Sequence, residues 1–270
     1  MFVQSRLNMF SIFRFNSACE ATTAPPVVIG ALGGSGTRAV VNIVRLAGWW
    51  MGSRVSRSSQ DALPTRFFLN KWFETLLDFP DISPRLQRRS ITHFRRAIAE
   101  HREGITGADG SWGWKNPRNM WLIPFYLSIY PQLRFIHVIR DGRDMSLSSN
   151  FFLLKTHGNR LLGRDWNGNS EAAQMELWAT GNIRAAETSQ HCVPGHYFLL
   201  RYEDLCLDPQ ETARKLYHFL GAPEELIGKA TEEIRPSSGI GRGRGKNHAP
   251  GSKRVEAAFN GALERFGYLL

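Results

Sequence analysis

Cysteine is scarce: Cys19, Cys192 and Cys206 are the three in 270 residues, and no two form a C-x-x-C pair. That usage argues against a disulfide framework or a structural zinc site, and it fits a reducing compartment such as the cytoplasm. Long apolar runs are missing as well. None approaches the roughly 20 residues that a membrane-spanning helix needs. The stretch Met1–Pro26 mixes apolar residues with Arg6 and Arg14 and lacks the unbroken apolar core of a secretory signal. We read residues 1–25 as a leader or peripheral segment, frayed or packed against the domain, with an amphipathic anchor on a membrane surface as the alternative. Acidic residues are few, 24 against 34 Lys plus Arg, for a net charge of +10. Such a chain attracts acidic partners: a bisphosphate cofactor, an anionic glycan, a membrane surface or a nucleic acid. Nucleic acid is not expected, because paired Cys/His spacing, a basic region running into heptads and a Gly/aromatic RNA-binding strand are all absent. There is no internal repeat and no low-complexity tract.

What is present is an ordinary globular composition, 42% hydrophobic and 21% charged, which suits one large α/β domain over residues 26–270. Short apolar runs bounded by turn or charged residues predict strands at Val27–Leu32, Arg134–Ile139 and Tyr197–Arg201, with a weaker one around Trp112–Lys115. Helical patterns lie between them, at Thr37–Ala47, Thr65–Leu77, Leu86–His101, Met120–Ile129, Met145–Lys155, Glu171–Gln190 and Glu211–Leu220. Alternating strands and helices predict a three-layer α/β/α fold around a mainly parallel sheet, with ligands at the carboxyl ends of the strands. The segment from Arg235 to Ser252 is rich in Gly, Arg and Lys and reads as a mobile basic loop.

Two stretches carry chemistry. In the first, the Val27 strand breaks into Gly33-Gly34-Ser35-Gly36-Thr37-Arg38 and a helix follows. This arrangement points backbone N–H groups and the positive end of a helix at one place, a ready anion site. The usual nucleotide loop, G-x-x-x-x-G-K-[ST], uses its lysine on the β- and γ-phosphates. Here no lysine is present, so the loop suits phosphate but not ordinary ATP or GTP. In the second, a strand ends at Arg140, turns at Asp141-Gly142 and enters a helix that carries Ser148 about two turns on. An arginine makes two parallel charge-assisted bonds to a phosphate, and a serine hydroxyl adds a neutral one. The competing reading pairs Arg140 with Asp144 on the surface and leaves Ser148 in solvent.

Together these stretches resemble the sulfotransferases that use 3′-phosphoadenosine 5′-phosphosulfate. Gly33–Thr37 is similar to that family's 5′-phosphosulfate loop, and Arg140 with Ser148 to its 3′-phosphate motif. Lys115-Asn116-Pro117-Arg118, Ile139–Arg143 and Arg201-Tyr202-Glu203-Asp204-Leu205 resemble the bacterial and tyrosylprotein branches. The resemblance runs from about Val27 to about Gly245 and rests on four motifs in order. It implies a P-loop-like α/β fold and sulfuryl transfer from that donor, with 3′-phosphoadenosine 5′-phosphate as product, no metal, and an acceptor hydroxyl or amine. The acceptor is an unidentified small molecule or glycan, with carbohydrate, lipid, peptide tyrosine and antibiotic hydroxyls all open, and the oligomeric state is unread.

The resemblance also implies roles. Lys115 stabilises charge on the leaving phosphate oxygen, Tyr202 contacts the adenine, and Arg242 and Arg244 belong to a late basic loop that closes over the 3′-phosphate. A solvated linker and core packing compete for the last two roles. One departure is that relatives often carry Lys or Arg where this chain has Gly34. Either Arg38 takes over that charge or Lys115 carries more of it. The acceptor's proton needs a base, and Asp61, Glu74, His93 and His137 are the candidates. The position of a catalytic carboxylate in relatives favours Asp61, against a role as cap of the next helix. Two other functions compete. A P-loop small-molecule kinase is disfavoured by the absent loop lysine and by the lack of a magnesium-holding aspartate after an apolar strand. A non-catalytic module binding anionic glycans would use only the charge.

Overall fold

The computed structural model describes residues 24–105, 110–166, 168, 170–232, 234, 235 and 237–269. The expected leader at 1–25 thus lies almost wholly outside the described residues. Four strands, β1 (Val27–Ala31), β2 (Gly113–Lys115), β3 (Arg134–Ile139) and β4 (Tyr197–Arg201), form one sheet in the order β2-β1-β3-β4. Every pairing is parallel, with Val27 opposite both Gly113 and Arg134, and Phe135 opposite Tyr197. All five residues of β1 are buried, as a parallel strand covered on both faces requires.

The two faces of β1 feed two cores. Val28, Phe135, Trp112 and Trp114 join the larger one. It is roofed by α2 (Leu63–Leu76), α3 (Pro84–His101), α4 (Ile123–Leu127), α7 (Ser170–Cys192) and α11 (Lys253–Arg265). Val27, Ile29, Ala31, Ile136 and Val138 alternate onto the other face, the period of two that a strand imposes. There they meet α1 (Thr37–Leu46), α8 (Tyr202–Leu207), α9 (Pro209–Leu220) and α10 (Ile227–Thr231). The expected three-layer fold is present, with a sheet that is wholly parallel. Among the described residues no helix is long and apolar enough to cross a membrane.

Two helices differ from the sequence reading. Met120–Ile129 is a 3-10 turn, Pro117–Trp121, followed by α4. Pro124 stands in the first turn of α4, and without an N–H it cannot extend a ladder from the preceding turn. Met145–Lys155 is broken between α5 (Gly142–Ser146) and α6 (Phe152–Leu162). In the gap Ser148 Oγ accepts from Asn150 N at 3.1 Å and Asn150 Oδ1 accepts from Phe152 N at 3.4 Å. These local side-chain bonds replace the helical ones.

The chain leaves β1 for β2 on one side and later enters β3 on the other. The carboxyl ends of β1 and β3 therefore form the switch point where α/β sheets bind ligands.

Candidate active site

The turn after β1 is built on glycines. Gly34 and Gly36 hold φ of 101° and 84°, the left-handed region that favours glycine. A Cβ on Gly36 would also lie 2.1 Å from the ring of Tyr202. Gly36 caps α1, which has no side-chain cap and no acid in its first turn, so the positive end of the helix is uncompensated. Ser35 N donates to Leu32 O at 3.2 Å, while the N–H groups of Gly34 and Gly36 have no acceptor among the described residues. The turn therefore offers donors to an anion.

Arg140, one residue past β3, reaches over this turn. Its Nη1 donates to Gly34 O at 3.4 Å, and its guanidinium lies 5.3 Å from the centre of the Tyr202 ring. Trp178 Nε1 donates to Arg140 O at 2.9 Å and fixes the backbone there. Asp144 stands 4.0 Å from Nη2, at the outer limit of an ion pair. Arg140 Nε is buried and has no hydrogen-bond partner. Buried donors are normally satisfied, so this one marks a place for an acceptor that the chain does not supply.

The third component comes from β2. Lys115 is 2% exposed, and its Nζ donates to Asp61 Oδ1 at 2.6 Å and to Ser59 O at 2.5 Å. Desolvation lowers its pKa from the ordinary lysine value, and the neighbouring charge and hydrogen bond of Asp61 oppose that shift. Backbone bonds bring the Asp61 loop to the strand end: Ala62 N donates to Lys115 O at 3.2 Å, and Val55 bridges to Ala62. Gln60, with φ of 61°, is the single non-glycine residue at positive φ among the described residues. Its Oε1 accepts from Arg45 Nη1 at 2.8 Å, which holds the turn that delivers Asp61. Arg38, in the first turn of α1, donates Nη1 to Ser58 O at 3.2 Å.

These groups line one cavity of about 550 Å³. Gly33, Gly34, Gly36, Thr37, Arg38, Asp61, Lys115, Arg140 and Tyr202 are in its wall. The wall does not include Ser35, Ser148, Arg242 or Arg244. Ser35 is buried beneath the turn, and Ser148 stands in the gap between α5 and α6. The basic loop is instead clasped to the end of β3. Asp144 carboxylate oxygens accept from Gly241 N and Gly243 N, each at 2.8 Å, and Arg242 Nη2 donates to Asp144 O at 2.8 Å. Arg244 lies 3.7 Å from Asp141. The clasp brings Gly239 so close that a Cβ on it would be 2.7 Å from Arg140 Nη2.

Of the four candidate bases, Asp61 alone reaches the cavity. Glu74 pairs with His157 across α2 and α6, and His93 accepts from Trp72 Nε1 at 3.0 Å. His137 is fully buried between Tyr197 and Asn182, and desolvation lowers its pKa to about 4. Arg118 is a further site residue that no motif singles out. It lines the cavity, donates Nη2 to Asn70 Oδ1 at 2.8 Å and stands over the Phe73 ring. Its signal was its place after Lys115-Asn116-Pro117, where Asn116 Oδ1 caps the 3-10 turn. Arg66, Asn150 and the apolar residues Phe152, Leu153 and Leu154 also line the space.

The sulfotransferase family's sequence pattern matches residues 50–225 of this chain. The chain belongs to that family. It is 27% identical over 155 residues to the omega-hydroxy-beta-dihydromenaquinone-9 sulfotransferases Stf3 of Mycobacterium bovis and Mycobacterium tuberculosis. That match covers 55% of this chain and 38% of each relative, so the chain spans about two-fifths of the curated relatives' length. Among solved structures, the sulfotransferase domain of the Synechococcus PCC 7002 olefin synthase aligns with a TM-score of 0.58 at 14% identity, covering 95% of this chain and 99% of that one. The Mycobacterium avium sulfotransferase STF9 aligns at 0.55 and 14% identity, covering 92% and 78%. At such identities the likeness is one of fold.

Proposed function

We propose that this chain transfers a sulfuryl group from 3′-phosphoadenosine 5′-phosphosulfate to the hydroxyl of a small organic acceptor. The observation that carries the reading is the convergence, in one cavity of a sulfotransferase-family chain, of the glycine turn, Arg140 and the buried Lys115–Asp61 pair. When bound, the donor supplies a sulfuryl group already activated as a mixed anhydride with phosphate. The residues suit such a polyanion, because the turn has unused N–H donors and Arg140 has an orphaned Nε.

In this reading Gly33–Thr37 and Arg38 hold the 5′ end, Arg140 holds the 3′-phosphate and Tyr202 faces the base. Arg242 and Arg244, engaged with Asp144 and Asp141, keep the basic loop against Arg140. Lys115 presents its ammonium where negative charge develops on the departing oxygen, in a place that excludes water. Removing one such preorganised donor costs about 10²–10³ in rate. Asp61, hydrogen-bonded to that ammonium, takes the proton from the acceptor. Phe152, Leu153 and Leu154 give the cavity an apolar wall. That wall suits an apolar alcohol better than a sugar, in keeping with the quinone derivative named for the mycobacterial relatives.

A thermal-shift comparison followed by a transfer assay tests the proposal. Stabilisation by 3′-phosphoadenosine 5′-phosphate, and radiolabelled transfer to members of an alcohol and phenol panel, are expected. Stabilisation by ATP with magnesium and none by the bisphosphate nucleotide would overturn it.

A further inference from the structure

Arginines equal in number to half the excess charge of this chain sit on one helix. Helix α3 carries Arg85, Arg88, Arg89, Arg95 and Arg96 against one acid, Glu100. Its buried face is Ser90, Phe94, Ile98 and His101, and all five arginines are exposed. Glu100 is engaged by Arg54. Among the described residues no carboxylate lies within 4.0 Å of any of the five.

The basic surface continues onto α2. Phe68 packs on Phe94 with ring centroids 5.0 Å apart, and Trp72 Nε1 bonds to His93, so this side of α2 faces α3. Phe67 and Lys71, one helical turn apart and therefore on one face, flank the seam. Both are exposed, Phe67 by 59%. Lys71, Arg89 and Arg96 gather around the imidazole of His93: after desolvation, their charges lower its pKa. A phenylalanine held in water beside unpaired cations is the composition of an interfacial anchor, in which the ring enters the headgroup boundary and the cations meet lipid phosphates. A nucleic-acid duplex would use the arginines on its phosphates and leave the ring in water.

We propose that the seam between α2 and α3 docks this chain on an anionic lipid bilayer, with the arginines on the phosphates and Phe67 inserted at the interface. The inference stands apart from the reading of the cavity.

Co-sedimentation of the full chain with two kinds of vesicle tests it: phosphatidylcholine alone, and phosphatidylcholine with about one-third phosphatidylglycerol. Binding to the anionic vesicles, weakened by salt, and little binding to the neutral ones are expected. Each arginine near an anionic surface strengthens binding about fivefold. R89Q/R96Q, which removes two such charges, is therefore expected to lose about twenty-five-fold, and the charge-reversing R89E/R96E more than that. F67S is expected to lose several-fold with the charge intact. Melting temperature and affinity for 3′-phosphoadenosine 5′-phosphate, measured on every variant, report folding and the cavity separately. Equal binding to both vesicles, or unchanged binding by the arginine variants, would overturn the proposal. So would an arginine-dependent grip on an oligonucleotide, single- or double-stranded, that is tighter than the grip on the anionic vesicles.

Discussion

The pair Lys115–Asp61 can be tested as structure and as chemistry at once, because the two roles respond differently to a double substitution. Lys115 Nζ is 2.6 Å from Asp61 Oδ1, with side-chain exposures of 2% and 13%. Removing one partner of a buried ion pair costs about 3–5 kcal/mol, since the other charge stays buried without compensation. For a chain of this size that is a fall in Tm of roughly 6–15 °C. Lys115→Met and Asp61→Asn should each show it. The combined variant should recover most of the loss, because an apolar or neutral replacement of a whole buried pair is often close to neutral. Turnover should not follow. The ammonium is required where charge develops, so Lys115→Met should lose about 10²–10³ in single-turnover transfer, and the double variant should stay as slow. Affinity for 3′-phosphoadenosine 5′-phosphate should change little in all three. A double variant that regained both Tm and turnover would reduce the pair to a structural tie and refute the reasoning.

The same lysine gives a pH signature. Its folded-state pKa lies below the ordinary 10.5, chiefly through desolvation. Turnover that needs the ammonium should therefore fall on an alkaline limb that begins below the ordinary lysine range. Stability moves the other way. In that window the unfolded chain binds the proton that the folded one has released, so this group's contribution to stability rises with pH. Asp61→Asn removes a charge that opposes the shift and should move the alkaline limb lower still. A limb unmoved by Asp61→Asn would show that Lys115 is not the group being titrated.

Three further outcomes are expected. Arg140→Ala should weaken binding of 3′-phosphoadenosine 5′-phosphate about tenfold to a hundredfold in calorimetry, the worth of charge-assisted bonds to a phosphate; unchanged affinity removes Arg140 from the site. Asp144→Ala frees the N–H groups of Gly241 and Gly243, so limited proteolysis should open the loop at 237–248 and nucleotide affinity should drop, and a loop that resists protease as before would show another anchor. His137, with its folded-state pKa near 4 against an ordinary 6.5, should cost about 3 kcal/mol of stability as pH falls from 6.5 to 4, because only the unfolded chain takes up the proton there. Denaturant titrations at both ends of that range should show the slope in the wild type and a shallower one in His137→Asn.

The sequence was most legible where local and long-range requirements coincide. β1 and β3 are short apolar runs that the sheet buries on both faces, and β3 and the edge strand β4 lie at the bounds their patterns indicate. The glycine turn was legible for the same reason, since positive φ at Gly34 and Gly36 is a local demand that spacing displays. Legibility failed where a side chain decides between its own backbone and a distant partner. Ser148 and Asn150 look helical by periodicity, yet they bond to the backbone two residues on and break the helix. Arg242 and Arg244 read as free positive charge because the groups that hold them, the backbone carbonyl of Asp144 and the carboxylate of Asp141, lie about a hundred residues earlier. Arg118 went unassigned because its setting depends on Asn70 and Phe73 from α2, an element with no chemical motif of its own. Asp61 was selected from four carboxylates and histidines by resemblance alone. What singles it out physically is a tertiary event, the bond from Ala62 N to Lys115 O that stitches its loop to the end of β2. The fold is thus written in periodicity, whereas the cavity is written in which charges find each other. With 34 basic residues to 24 acidic ones some cations must go without a carboxylate, and the unsatisfied Nε of Arg140 and the exposed arginines of α3 are places where an external anion is expected.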